Sequence, residues 1–149
     1  MNGYEISTER ERLDLDVIHG FLREAYWSPG VPRDVVERSF AHSLCFGLYA
    51  PDGAQAGFAR AVTDRATFAW IADVFVLPEH RGQGLATWLM RTLLDHPDLR
   101  ELRRVVLATK DAHGLYTGLG FGALARPERW MERPGVGVRR FTDPPHARP

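Results

Sequence analysis

Apolar residues in the first third of the chain recur with a helical period. Leu15, Ile18, Phe21, Leu22 and Ala25 share one face of a segment from Leu15 to Trp27, which Ser28 to Pro32 then breaks. Pro32 suits the first turn of a second helix that carries Val35, Val36 and Phe40 on one side and ends before Leu44. From there the pattern is that of strands. Leu44 to Tyr49 reads as one strand, Pro51 to Gly53 as a hairpin turn, Gln55 to Val62 as the antiparallel return, and Phe68 to Leu77 as the third strand of a meander. The helical period returns between Gly84 and Leu94, with Leu85, Trp88, Leu89 and Leu93 on one side and Pro97 as a stop. Arg104 to Ala108 is a compact strand of buried type, so strand, turn, helix and strand form a βαβ unit with parallel strands and a right-handed crossover. A short helix from Asp111 to Leu119, stopped by Gly120, follows. Tyr4 to Ser7 adds a short first strand, and Phe121 to Ala125 and Arg129 to Arg133 supply two closing ones.

These elements predict an α/β (α+β) fold: a central mixed sheet of six to seven strands flanked by about four helices, in a single domain over 1–133. With 149 residues, 44% hydrophobic and 26% charged, the chain suffices for one core. The Pro-, Gly- and Arg-rich stretch 134–149 is expected to be a weakly structured tail. Lys+Arg and Asp+Glu both number 19, so no broad basic field exists to attract nucleic acid or membrane, and an anion must be met locally. The single cysteine, Cys45, excludes an intramolecular disulfide and reads as a core filler. Six scattered histidines give no metal-ligand spacing, and no metal is expected. The charged N-terminal stretch lacks a signal-peptide core and no apolar run reaches spanning length, which points to the cytoplasm.

The chemistry concentrates between Val74 and Ala86, where an apolar strand stops at Pro78 and a glycine turn carrying Arg81 opens into a helix. Turn amides, added to the unpaired N–H groups of a helix's first turn, make an anion cradle that Gly82 and Gly84 leave open to close approach. A P-loop would need Gly-Lys-Ser/Thr, but Gly84 is followed by Leu85, Ala86 and Thr87. A dinucleotide fingerprint would need three glycines early in a βαβ chain. Just before the cradle, Asp73 interrupts the apolar strand. A carboxylate there is costly to bury unless it is paired or solvated by a cleft, so it reads as a base, as a counter-ion for a substrate ammonium, or as half of a structural ion pair.

The pattern Arg81-x-x-Gly84-x-Ala86, preceded by Val76-x-Pro78, resembles the acyl-CoA pyrophosphate loop of the GNAT superfamily of N-acetyltransferases. Downstream, the run from Thr109 to Phe121, with Ala112, Tyr116 and Gly120, is similar to that family's second motif, Thr109 standing where many members have Asn. The resemblance extends from about Tyr4 to Arg133. It implies that Arg81, Gly82, Gln83, Gly84, Leu85 and Ala86 hold the pyrophosphate of acetyl-CoA. It further implies that the backbone of Phe75 and Val76 meets the pantetheine arm, with Thr109 beside it. Tyr116 is the implied general acid, a phenol of pKa ~10 being able to protonate a thiolate of pKa ~8.5.

Trp27, Arg33, Arg60 and Trp70 are expected at the border of the acceptor pocket, His113 at the surface, and Asp111 as the cap of a helix beginning at Ala112. The implied activity is transfer of an acetyl group to a primary amine by direct attack in a ternary complex. Neutral charge and small size favour a small-molecule acceptor. A protein N-terminus or lysine, a longer acyl chain, and a non-catalytic acyl-CoA sensor stay open, as does a homodimer through the C-terminal edge strands.

Overall fold

The computed structural model describes residues 1–135, so the expected tail from Val136 onward lies outside the described residues. Among the described residues the sheet has five strands: β1 (Glu5–Ser7), β2 (Leu44–Tyr49), β3 (Gln55–Thr63), β4 (Phe68–Val76) and β5 (Arg104–Val106), in that spatial order. All neighbours are antiparallel except β4 and β5, which the crossover helix α3 (Leu85–Leu94) makes parallel. The expected meander and βαβ unit are both present.

Helices cover both faces. On one, α1 (Leu15–Leu22) and α2 (Arg33–Ala41) pack Ile18, Leu22, Val36 and Phe40 against Cys45, Phe58 and Phe75. On the other, Leu89, Met90 and Leu93 of α3 pack against Leu44, Phe46, Ala59 and Ala61. Alternate residues of β2 and β3 thus serve opposite faces, as the pleat requires. The last helix, α4 (His113–Thr117), joins the α3 side through Tyr116.

Four sequence expectations are corrected. The sheet has five strands among the described residues, not six to seven, because Phe121 to Ala125 and Arg129 to Arg133 do not pair. Gly122 interrupts the first, which follows directly on the left-handed Gly120, and Pro127 starts a 3-10 turn over Pro127–Arg129 that runs into the second. The segment covers β5 through side chains instead: Phe121 sits edge-on to Tyr116, and the Arg104 guanidinium lies 5.1 Å from the Trp130 ring centre. The first helix stops at Leu22, five residues short of Trp27, and frees Ala25 to Gly30 as a loop. β5 ends at Val106 rather than Ala108. Finally, α4 begins at His113, and the Thr109 hydroxyl, not Asp111, accepts the Ala112 N–H at 3.0 Å.

Candidate active site

β4 and β5 pair only through Phe68–Arg104, Ala69–Val105 and Trp70–Val106, after which they separate. The cause lies in β4. Ala72 pairs with Arg60 and Phe75 with Phe58, so Asp73 and Val74 together oppose the single residue Ala59. This is a β-bulge, and Asp73 adopts the left-handed conformation at φ 55°. A bulge bends its strand, and the fork so formed opens into a cavity of about 640 Å³. Ile71 to Val74 line it on one side and Leu107 to Thr109 on the other.

The register also divides Phe75 from Val76. The Leu77 N–H donates to the Ala56 carbonyl at 2.8 Å, and antiparallel pairs alternate. Phe75 therefore spends its backbone groups on β3, which corrects the expectation that both residues offer theirs to a cofactor arm. Val76 points its N–H and C=O to the open side, where its carbonyl already accepts Arg81 Nε at 2.8 Å. Both side chains are core, Phe75 stacked on Phe21 at 4.1 Å and Val76 against Leu85.

Beyond β4 a 3-10 turn, Pro78–His80, leads into the cradle. Gly82 (φ 82°) and Gly84 (φ 77°) are left-handed, and a Cβ on Gly82 would meet nothing within 4 Å. The first bond of α3 runs from the Trp88 N–H to the Gly84 carbonyl, which leaves the N–H groups of Leu85, Ala86 and Thr87 ahead of the helical ladder. No side chain caps this end. The cradle's shape is pinned from below by buried Leu85 and from the side by Gln83, whose amide donates to the His80 carbonyl at 3.2 Å and reaches the Tyr4 hydroxyl at 3.4 Å. Tyr4 also bonds His80 Nδ1 at 2.8 Å. An open, unspent cluster of donors beside a strand edge fits an anionic cofactor with an amide-bearing arm.

Residues 12–121 match the acetyltransferase (GNAT) family. The chain belongs to this family. A protein of Gibberella zeae named as a candidate acetyltransferase is 31% identical over 133 residues, 76% of this chain and 75% of its own. The crystal structure of a candidate GNAT acetyltransferase from Xanthomonas campestris pv. campestris is 47% identical, with a TM-score of 0.88 over 93% of this chain and 97% of that one. Glucosamine-6-phosphate N-acetyltransferase of Arabidopsis thaliana, at 16% identity and a TM-score of 0.63 over 87% of this chain and 97% of its own, shares the fold.

Within this GNAT acetyltransferase, Tyr116 and Asp73 both line the cavity, at opposite sides of the fork. Burial raises the Tyr116 phenol above its ordinary pKa of 10.0, with the nearby Tyr26 adding to the rise, so it keeps its proton throughout the neutral range. Asp73 is tied down at both oxygens. One accepts Arg60 Nε at 2.6 Å and the other the Trp27 indole N–H at 2.9 Å, and Arg60 also donates to the Ser43 hydroxyl at 3.0 Å. The structural pairing is thus present, and the bulge delivers it, because only a displaced β4 residue turns its carboxylate toward Arg60 of β3.

Trp27, Arg60 and Trp70 border the cavity. Arg33 does not, and instead pairs with Asp16 of α1. Thr109 lines the cavity while its hydroxyl accepts the Ala112 N–H just ahead of α4, and His113 is exposed. Sequence reasoning missed Tyr26 and Lys110. The Lys110 N–H donates to the Tyr26 hydroxyl at 3.0 Å, and its ammonium lies 5.4 Å from the centre of that ring. Consecutive aromatics therefore strap the fork, Tyr26 to the β5 side and Trp27 to β4. The partners are 84 and 46 residues away, a separation that leaves no local signal.

Proposed function

We propose that this chain transfers the acetyl group of acetyl-CoA to the nitrogen of a small primary amine, by direct attack in a ternary complex. The observation that carries the reading is the fork: a strand edge open from Val76, a donor-rich cradle at its end, and the hydroxyl-bearing Tyr116 in the cavity between. Acetyl-CoA supplies the activated acyl group, and the incoming amine displaces its thiolate. Gly82, Gly84 and the N–H groups of Leu85 to Thr87 hold the pyrophosphate, with Arg81 braced for it by Val76. Val76 orients the arm through its outward backbone, and Thr109 borders it. Tyr116 keeps its proton at neutral pH and gives it to the leaving sulfur. Its proton is replaced through water by the one the amine loses. No residue needs to carry the acyl group.

Asp73 acts as a positioning residue. Its two oxygens fix the Trp27 indole and the Arg60 guanidinium, so its effect reaches the amine through the wall they form. The cavity, at about 640 Å³, lies in the range of small-molecule sites, which supports a small acceptor over a protein chain.

The test is thiol release from acetyl-CoA across a panel of amines, run with wild type and Tyr116→Phe. Turnover that falls in the variant while acetyl-CoA binding persists supports the reading. Binding of acetyl-CoA without turnover on any amine would make the protein a sensor.

A further inference from the structure

The cavity has a second wall, outside the fork, built from the loop after α1 and from α2. Trp27 stands on it, and Trp70 faces the same space from β4. Trp27 and Trp70 are 42% and 40% exposed, unusually bare for tryptophans, and both face the cavity. Trp27 is firmly placed. Trp27 is held by Asp73 through its N–H and stands in an aromatic row, edge-on to Tyr26 at 5.1 Å and 6.3 Å from Phe21, which stacks on Phe75. Trp70 occupies the last rung shared by β4 and β5, opposite the equally exposed Val62. Val31, Val35 and Val36 complete an apolar lining between them.

The charged groups of this cavity are matched in number: Arg60 and Lys110 against Asp73 and Asp111. Arg60 is spent on Asp73 and Ser43, and Lys110 lies over the face of Tyr26. A carboxylate or phosphate on the acceptor would find only Lys110, exposed and drawn away from the Tyr26 face, to replace its water. An aromatic or bulky aliphatic body would bury its surface on two indoles, while the protonated form of its amine is attracted to their faces on entry.

We infer that the acceptor is a primary amine carried on an apolar, preferably aromatic, body without an anionic group, and that Trp27 and Trp70 select it. The inference rests on the acetyl-transfer reading for its activity but not for its binding, which makes the two separable by experiment.

The experiment measures kcat/KM for 2-phenylethylamine, ethanolamine, glycine and glucosamine 6-phosphate. In parallel, calorimetry follows 2-phenylethylamine binding to wild type, Trp27→Ala, Trp70→Ala and the conservative Trp27→Phe and Trp70→Phe, each checked by its melting temperature. The expected result is a preference for 2-phenylethylamine over ethanolamine on the order of 10²-fold. Each alanine variant raises KM for 2-phenylethylamine about tenfold, leaves KM for acetyl-CoA unchanged, and is largely rescued by phenylalanine. If the polar or anionic amines serve as well as 2-phenylethylamine, or the variants weaken all four amines alike, the inference is overturned. Tryptophan-dependent binding of 2-phenylethylamine without any acetyl transfer would uphold the pocket and defeat the transfer reading, whereas no binding at all would defeat the pocket.

Discussion

At the scale of single residues, Tyr116 and Asp73 separate chemistry from support. Replacing Tyr116 by Phe removes a proton donor and no hydrogen bond that shapes the fold. Turnover should fall on the order of 10²-fold, while KM for acetyl-CoA and the melting temperature barely change. Steady-state kinetics beside a thermal melt check this. Asp73→Ala has the opposite character, because it strands a largely buried Arg60 and releases Trp27. It should cost on the order of 3 kcal/mol in denaturant unfolding and raise the amine KM. Asp73→Asn should lose less, since Asn tolerates the left-handed backbone at φ 55° and still accepts the indole N–H. If Asp73 were the base, Asn would instead cost turnover as severely as Ala.

At the scale of elements, two glycines near the end of β4 have different tasks. A Cβ on Gly57 of β3 would stand 2.7 Å from the Phe75 carbonyl oxygen and 3.0 Å from Leu48 Cδ2, both in a packed interior. Gly57→Ala should therefore destabilise the fold by about 1–3 kcal/mol. Gly82→Ala meets empty space but a forbidding φ, and it places a methyl group where the pyrophosphate is proposed to lie. Its stability cost should be about 1–2 kcal/mol, with a larger relative loss in acetyl-CoA affinity, so melting and binding measured together distinguish the two. The glycine motif was plain in the sequence because a turn of that shape needs glycine. The bulge at Asp73 and Val74 was not, because it depends on pairing with Ala59 across the hairpin.

At the scale of the whole molecule, burial sets an alkaline limit. Cys45 is pushed up from 9.0 to about 11 by burial, and the same cause raises Tyr49 and Tyr116. In each case the unfolded chain loses its proton first, so stability is full below the ordinary values and declines as pH rises through the raised ones. The melting temperature should fall between about pH 9 and 11, and Cys45→Ala should flatten the first part of that fall. The core itself is symmetrical about the sheet, with α1 and α2 on one face and α3 on the other, so opening the fork leaves most of the buried surface untouched. This permits a gap between neighbouring strands without loss of the domain.

The sequence by itself determined the meander, the βαβ crossover, the cradle and the order in which Asp73, Arg81 and Tyr116 occur. Each of these rests on local chemistry: hydrophobic period, glycine at positive φ, and proline as a stop. It overstated the sheet, since Phe121 to Arg133 carries strand-forming residues that find no partner once β5 ends at Val106. Tertiary structure alone decided that Phe75 turns its backbone inward and Val76 outward, that Asp73 is bound by Arg60 and Trp27, and that Arg33 lies away from the cavity. Those outcomes turn on strand register and on contacts between residues tens of positions apart, where a shift of one place exchanges inside for outside.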